Sequence, residues 1–189
     1  MFSDRRPHIV FFISLLLIIG FVPAPLFAFE GVQQPDGEKL SAVRRMYRGY
    51  KREFPNVGDI SATEARALFD QGKVLFIDAR EPEEREVSTL PGAVTGEAFL
   101  KNPDLAKGKT AVAYCTVGYR SGVFAGEADR QGLGVLNLRG GIVAWVLDGG
   151  KVYHDGRETN RVHVYGKEWN YLPEGYEAVI YGFFEKLVK

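Results

Sequence analysis

The chain has 189 residues, 46% of them hydrophobic and 13% aromatic, with 24 basic side chains against 24 acidic ones. That is enough apolar material for a core of ordinary domain size and too much for a disordered chain, and the lack of a basic excess argues against a general nucleic-acid binder. A single cysteine, Cys115, and three histidines, His8, His154 and His163, exclude an internal disulfide framework and a cysteine-cage metal site, so no metal centre is expected.

Arg5 and Arg6 precede an apolar run from Ile9 to Val22, Pro23 and Pro25 break that run, and Leu26-Phe27-Ala28 ends in a small residue. A basic start, an apolar centre and a small-residue cleavage point describe a secretory signal. Residues 1–28 therefore read as a signal peptide, and the mature chain as periplasmic or secreted. The alternative is a membrane anchor retained over residues 9–29. A span needs about 20 apolar residues, a length this run reaches only by counting through two prolines. Membrane contact is expected only if the segment stays attached. In an oxidising compartment, a lone thiol is either a small buried hydrophobe or a reactive group.

Residues 29–37 lack periodicity and read as a linker. From Lys39 to Phe54 the apolar positions Leu40, Val43, Met46, Tyr47, Tyr50 and Phe54 recur at helical spacing, with Arg44, Arg45, Arg48 and Lys51 on the opposite face. Linker and helix together make residues 29–57. Ser61 and Glu64 have capping-box spacing and open a short helix that Gly72 ends. Val74 to Ile77 is a continuous apolar run ending at Asp78, Ala111 to Tyr114 is another ending at Cys115, and Val135 to Leu138 is a third. Helices over Gly122–Gln131 and Ile142–Leu147 fall between and after them. Such alternation across residues 58–152 predicts an α/β domain, its sheet mainly parallel and covered by helices on both faces. Residues 153–189 read as an extension: a hairpin from Val152 to Tyr165, then a helix whose apolar stripe runs from Tyr176 to Val188. In parallel sheets, ligands bind beyond the carboxyl ends of the strands, where both Asp78 and Cys115 stand.

The segment Cys115-Thr116-Val117-Gly118-Tyr119-Arg120-Ser121 joins a buried strand to a helix. A loop of this kind can curl its backbone N–H groups around its first residue, helped by the dipole of the helix that follows. Gly118 permits the tight curl, and Arg120 adds a cation able to grip an anion at two points. These features are expected to lower the thiol pKa and hold a nucleophilic thiolate.

Four blocks in order resemble the rhodanese family: Ile77-Asp78-Ala79-Arg80-Glu81-Pro82-Glu83-Glu84, Leu90-Pro91-Gly92-Ala93, the Cys115–Ser121 loop, and Leu138-Arg139-Gly140-Gly141-Ile142-Val143-Ala144-Trp145. The resemblance implies a rhodanese-like α/β fold and a sulfurtransferase without a cofactor. Cys115 would take the outer sulfur of thiosulfate, or of a persulfide or polysulfide, and pass it to a thiol, cyanide or a protein acceptor. It implies that Cys115 and Arg120 are catalytic, that Thr116, Val117, Gly118, Tyr119 and Ser121 bind the small anionic donor, and that Asp78 and Arg80 brace the site. Four residues separate Cys115 from Arg120, against five in the related cell-cycle phosphatases, and the tighter ring suits one sulfur atom. Ser88-Thr89 replaces the Gly-His pair common in the family. Val117 and Tyr119 stand where thiosulfate enzymes often add positive charge, which turns attention to polysulfides and protein persulfides. The other reading is a persulfide carrier or protein-binding module with little turnover.

Overall fold

The computed structural model describes residues 36–181. Residues 1–28, read as a signal peptide, the 9–29 segment, and the stretch from Phe183 to Val188 lie outside the described residues. In chain order the elements are α1 (Asp36–Tyr50), β1 (Asp59–Ile60), α2 (Ala62–Asp70), β2 (Val74–Asp78), α3 (Pro82–Arg85), β3 (Val94–Thr95), α4 (Gly96–Lys101), β4 (Thr110–Tyr114), α5 (Tyr119–Arg130), β5 (Val135–Leu138) and α6 (Gly141–Leu147). Four short strands follow: β6 (Val152–His154), β7 (Arg157–Thr159), β8 (Arg161–His163) and β9 (Glu177–Val179).

The strands β1 to β5 form one sheet in the order β1-β5-β4-β2-β3, each pair parallel. Every residue of β2 is buried, as a strand covered on both sides requires. Its alternation sorts the two faces. Val74 and Phe76 join Val43, Ala65, Ile142 and Trp145 in one cluster, while Leu75 and Ile77 join Phe54, Phe99, Ala125 and Ala128 in another. Helices α2 and α6 thus cover one face and α4 and α5 the other, the two-sided arrangement that the sequence predicts. Helix α1 serves both clusters, through Val43 in the first and Tyr47 in the second.

The capping box forms as expected, with the Glu64 N–H donating to Ser61 Oγ (3.2 Å) and the Ser61 N–H to Glu64 Oε2 (2.9 Å). Helix α1 begins at Asp36, inside the stretch read as linker. Asp36 and Glu38 in its first turn suit the helix dipole, and Lys39 donates to the Leu172 carbonyl (2.9 Å), tying the helix to the tail.

Three expectations for the rest of the chain need correction. Helix α5 begins at Tyr119, so Arg120 and Ser121 stand in its first turn rather than in the loop. The left-handed Gly118 (φ 95°) turns the chain into the helix three residues early. The hairpin is β6–β7 alone, closed by Asp155 (φ 47°) and Gly156 (φ 75°), a pair of left-handed residues that suits a two-residue turn. Strand β8 instead pairs in parallel with β9, so residues 177–179, read as part of a final helix, are a strand. There the Glu177 N–H donates to the Asn160 carbonyl (2.9 Å) and the Val164 N–H to Val179 (2.9 Å). A partner strand and the turn at Gly175 (φ 83°) override the helical spacing of the apolar residues.

Candidate active site

Cys115 follows directly on β4, at the carboxyl end of the central strands, and the chain curls from it into α5. Three constraints shape the curl. Gly118 occupies a left-handed conformation that disfavours a side chain, and a Cβ there would stand 2.8 Å from the Tyr47 ring and 3.2 Å from the Gly140 nitrogen. Next, α6 opens against the loop, where Ile142 N–H donates to the Cys115 carbonyl (2.8 Å) and Val143 N–H to that of Thr116 (3.2 Å). Gly141 makes this approach possible, because any Cβ there would collide with the Cys115 carbonyl oxygen. Finally, Asn137 on β5 works as a buried hub. Its amide nitrogen donates to the Gly118 carbonyl (2.9 Å) and to Tyr47 Oη (2.9 Å), and its oxygen accepts from Ser121 Oγ (2.7 Å). The Tyr47 hydroxyl donates in turn to Asp59 Oδ1 (2.6 Å). With the carbonyls of residues 115, 116 and 118 held on other partners, the Gly118 N–H points at Cys115 Sγ (3.2 Å). That amide is the observed member of the predicted nest.

Cys115, itself buried, is among the residues lining a cleft of about 410 Å³, with Tyr50, Glu53, Thr116, Val117, Tyr119, Arg120, Tyr165 and Trp169. A second cleft of about 450 Å³ lies among Arg44, Arg48, Arg139 and Asp148, and Cys115 is not among its walls. Of the predicted site residues, Thr116, Val117, Tyr119 and Arg120 line the sulfur cleft, and Gly118 reaches the sulfur through its backbone. Ser121, expected to contact donor, is fully buried and turned onto Asn137. Its hydroxyl, given to Asn137 on β5, faces the sheet rather than the mouth. Asp78 and Arg80 lie beneath the site as an internal pair: Arg80 Nε donates to Asp78 Oδ1 (2.9 Å) and Nη2 to Oδ2 (2.6 Å). Arg80 also donates to the Ser88 carbonyl (2.6 Å), and the Tyr114 hydroxyl donates to Asp78 while accepting from Leu90 N–H (3.1 Å). This cluster connects β2, β4 and the chain before β3.

Arg120 departs from expectation. Its two-point grip is taken up inside the protein, by Glu84, with Nη1–Oε2 at 2.5 Å and Nη2–Oε1 at 2.8 Å. The guanidinium also lies 4.9 Å from the centre of the Tyr165 ring. Glu84, on α3, receives Thr116 Oγ1 (3.3 Å) and the Glu81 N–H (3.1 Å) as well. His163 Nδ1 stands 3.3 Å from Glu84 Oε1, at an angle that misses a hydrogen bond, and its ring stacks on Tyr181 at 5.0 Å. Burial works against the charge of both partners, but the pair outweighs it. Glu84 is held well below the usual carboxylate range by Arg120, with help from the Glu81 amide. Arg120 is held protonated by Glu84, with a smaller contribution from the Cys115 sulfur.

Residues 61–148 match the family model described as a rhodanese-like domain. A sulfurtransferase of Allochromatium vinosum is 36% identical over 93 residues, which is 47% of this chain and 87% of that protein. The chain belongs to the rhodanese-like family. The protein YtwF of Bacillus subtilis is 32% identical over 93 residues, 47% of this chain and 90% of its own length. The fold itself is shared with a thiosulfate sulfurtransferase from Pseudomonas aeruginosa, at a TM-score of 0.51 and 22% identity over 69% of this chain and 26% of that one.

The rhodanese-like segment holds Cys115, Glu84 and Arg120, but several residues of the site lie outside residues 61–148. Tyr47, Tyr50 and Glu53 come from α1 and the turn after it, and Tyr165 and Trp169 from the connection between β8 and β9. Sequence reasoning assigned none of these to the site, nor Glu84 or Asn137. For Glu84 a signal was present in its position after β2, but Glu81, Glu83, Glu84 and Glu86 share that neighbourhood and only the fold selects one. For the aromatic residues no local signal separates a cleft wall from a core.

Proposed function

We propose that this chain is an exported sulfurtransferase that carries sulfane sulfur as a persulfide on Cys115. The observation that supports this best is Cys115 among the residues lining a cleft, with the Gly118 amide directed at its sulfur. In the thiolate form, Sγ attacks the outer sulfur of a donor. The donor's S–S bond breaks, its inner fragment leaves with the electron pair, and a new Sγ–S bond remains. A thiolate or cyanide acceptor then attacks that outer sulfur, and Cys115 departs as thiolate. The Gly118 N–H stabilises negative charge on the cysteine sulfur in both half-reactions. Thr116, Val117 and Tyr119 form the inner wall that the donor meets, while Arg120, held by Glu84, keeps a positive charge beside the sulfur. Asp78, Arg80 and Ser121 position the loop from behind. Neither half-reaction calls for a metal or an organic cofactor.

Export rests on the basic, apolar and small-residue order of Arg5-Arg6, Ile9–Val22 and Ala28. One measurement tests both parts. Intact mass of the chain recovered from the producing cells gives the position of any cleavage. Incubation with a sulfane donor should then add one sulfur atom to the wild type and none to Cys115→Ser. Failure of every donor to load Cys115 would overturn the proposal. Loading without onward transfer to cyanide or thiols would replace it with a carrier module.

A further inference from the structure

The cleft around Cys115 presents few charges to a donor. Its charged lining residues are Glu53 and Arg120, and the Arg120 charge is matched by the bidentate Glu84. Glu53 adds a carboxylate at the mouth, where it accepts the Tyr119 hydroxyl (2.9 Å). Arg120, Glu84 and Glu53 taken together carry a net negative charge. A thiosulfate dianion entering there meets a carboxylate at the rim and a guanidinium with both Nη groups engaged by Glu84.

The rest of the mouth is aromatic. Tyr50 and Tyr119 meet edge to face at 5.3 Å, and Tyr165 and Trp169 at 6.2 Å, on walls contributed by α1, α5 and the β8–β9 connection. A hydrocarbon group is the moiety such walls bind by removing apolar surface from water. Three of these four rings, with Glu53, lie outside residues 61–148, the segment the family model matches.

Resting on the Cys115 persulfide reading, we propose that the donor is an organic hydropersulfide, R–S–SH, whose apolar R group occupies the cleft between Tyr50, Tyr119, Tyr165 and Trp169. The Cys115 thiolate attacks the terminal sulfur, and the Sγ–S bond forms as the donor's S–S bond breaks. The R–S fragment leaves with the electron pair and takes the proton of the terminal S–H, so that RSH and the Cys115 persulfide anion are the products. No external oxidant or reductant enters.

The test measures single-turnover sulfur loading of the full chain by intact mass, with benzyl hydropersulfide, methyl hydropersulfide and thiosulfate as donors. The expected order is benzyl, then methyl, then thiosulfate, with benzyl at least about tenfold faster than thiosulfate. Trp169→Ala should reduce the benzyl-to-thiosulfate rate ratio by about tenfold. Glu53→Gln, a change at the exposed rim, should reduce it about threefold by speeding thiosulfate. Thiosulfate loading as fast as benzyl hydropersulfide, or a ratio unmoved by both variants, would overturn the apolar-donor assignment and leave sulfur transfer standing. Loading by none of the three donors would instead remove the underlying persulfide chemistry.

Discussion

Glu84 and Arg120 form a pair in which each charge depends on the other. A carboxylate this buried would ordinarily resist ionisation, yet its pKa is held below the usual range because the guanidinium lies within hydrogen-bonding distance of both oxygens. A group with a depressed native pKa contributes stability above its unfolded pKa, about 4.3 for Glu, and that contribution is lost as pH falls toward the native value. The wild type should therefore lose stability on acidification below about pH 4.3, and Glu84→Gln should lack that part of the profile in urea titrations at several pH values. At neutral pH the same variant leaves Arg120 without its partner and should be less stable by on the order of 3 kcal/mol. Asn137 presents the uncharged counterpart. Asn137→Ala removes three hydrogen bonds in a fully buried place, orphaning Ser121 and the Gly118 carbonyl. A loss of about 2–4 kcal/mol is expected, read as a lower midpoint in denaturant.

At the scale of elements, the active loop is held from two sides. Helix α6 offers N-terminal amides to the Cys115 and Thr116 carbonyls, and α1 places Tyr47 against Gly118 while its hydroxyl joins Asp59 and Asn137. Gly141→Ala pushes a methyl group into the Cys115 carbonyl and forces a side chain into a left-handed conformation. It should destabilise by on the order of 3 kcal/mol and slow the modification of Cys115 by donors, measurable as midpoint shift and loading rate. Tyr47→Phe keeps the ring but removes the hydroxyl, and should cost about 1 kcal/mol by the same denaturant measurement. The elements themselves were largely readable. Val74–Ile77, Ala111–Tyr114 and Val135–Leu138 are continuous apolar runs, and a strand buried on both faces has no other way to appear. The capping box at Ser61 is likewise a local feature with a local cause. By contrast β1 and β3 contain two residues each, too few to show a period, and they exist because the sheet's neighbouring strands offer them hydrogen bonds.

For the whole molecule, the tail and α1 belong to the same core as the rhodanese-like segment. Val43 of α1 and Val162, Val164 and Leu172 of the tail are buried in one cluster with Phe76, Ile142 and Trp145. Lys39 joins α1 to Leu172, and Thr89 and Tyr153 exchange backbone hydrogen bonds (2.8 and 2.9 Å) between the domain and β6. A chain shortened to residues 58–152 would expose that surface and lose two walls of the cleft. It should unfold without a cooperative transition and load sulfur slowly, if it remains soluble. Circular dichroism melts of the short and full chains provide the comparison.

The division between sequence and structure follows the range of the forces involved. Local patterns carried the parallel α/β architecture, the placement of Cys115 at a strand's carboxyl end, and the Cys115–Arg120 loop, because strand burial, capping and glycine conformation act over a few residues. Helical spacing misled at Glu177–Val179, where β8, sixteen positions back in register, claims the segment for a strand. Which carboxylate would meet Arg120, which aromatic rings would frame the sulfur, and whether Ser121 would face substrate or sheet were decided by tertiary contact alone. Glu84 lies 36 positions from Arg120 and Trp169 still farther from Cys115 in the chain. No short-range rule can bring them together, and only the packing of α3 and the tail onto the sheet does so.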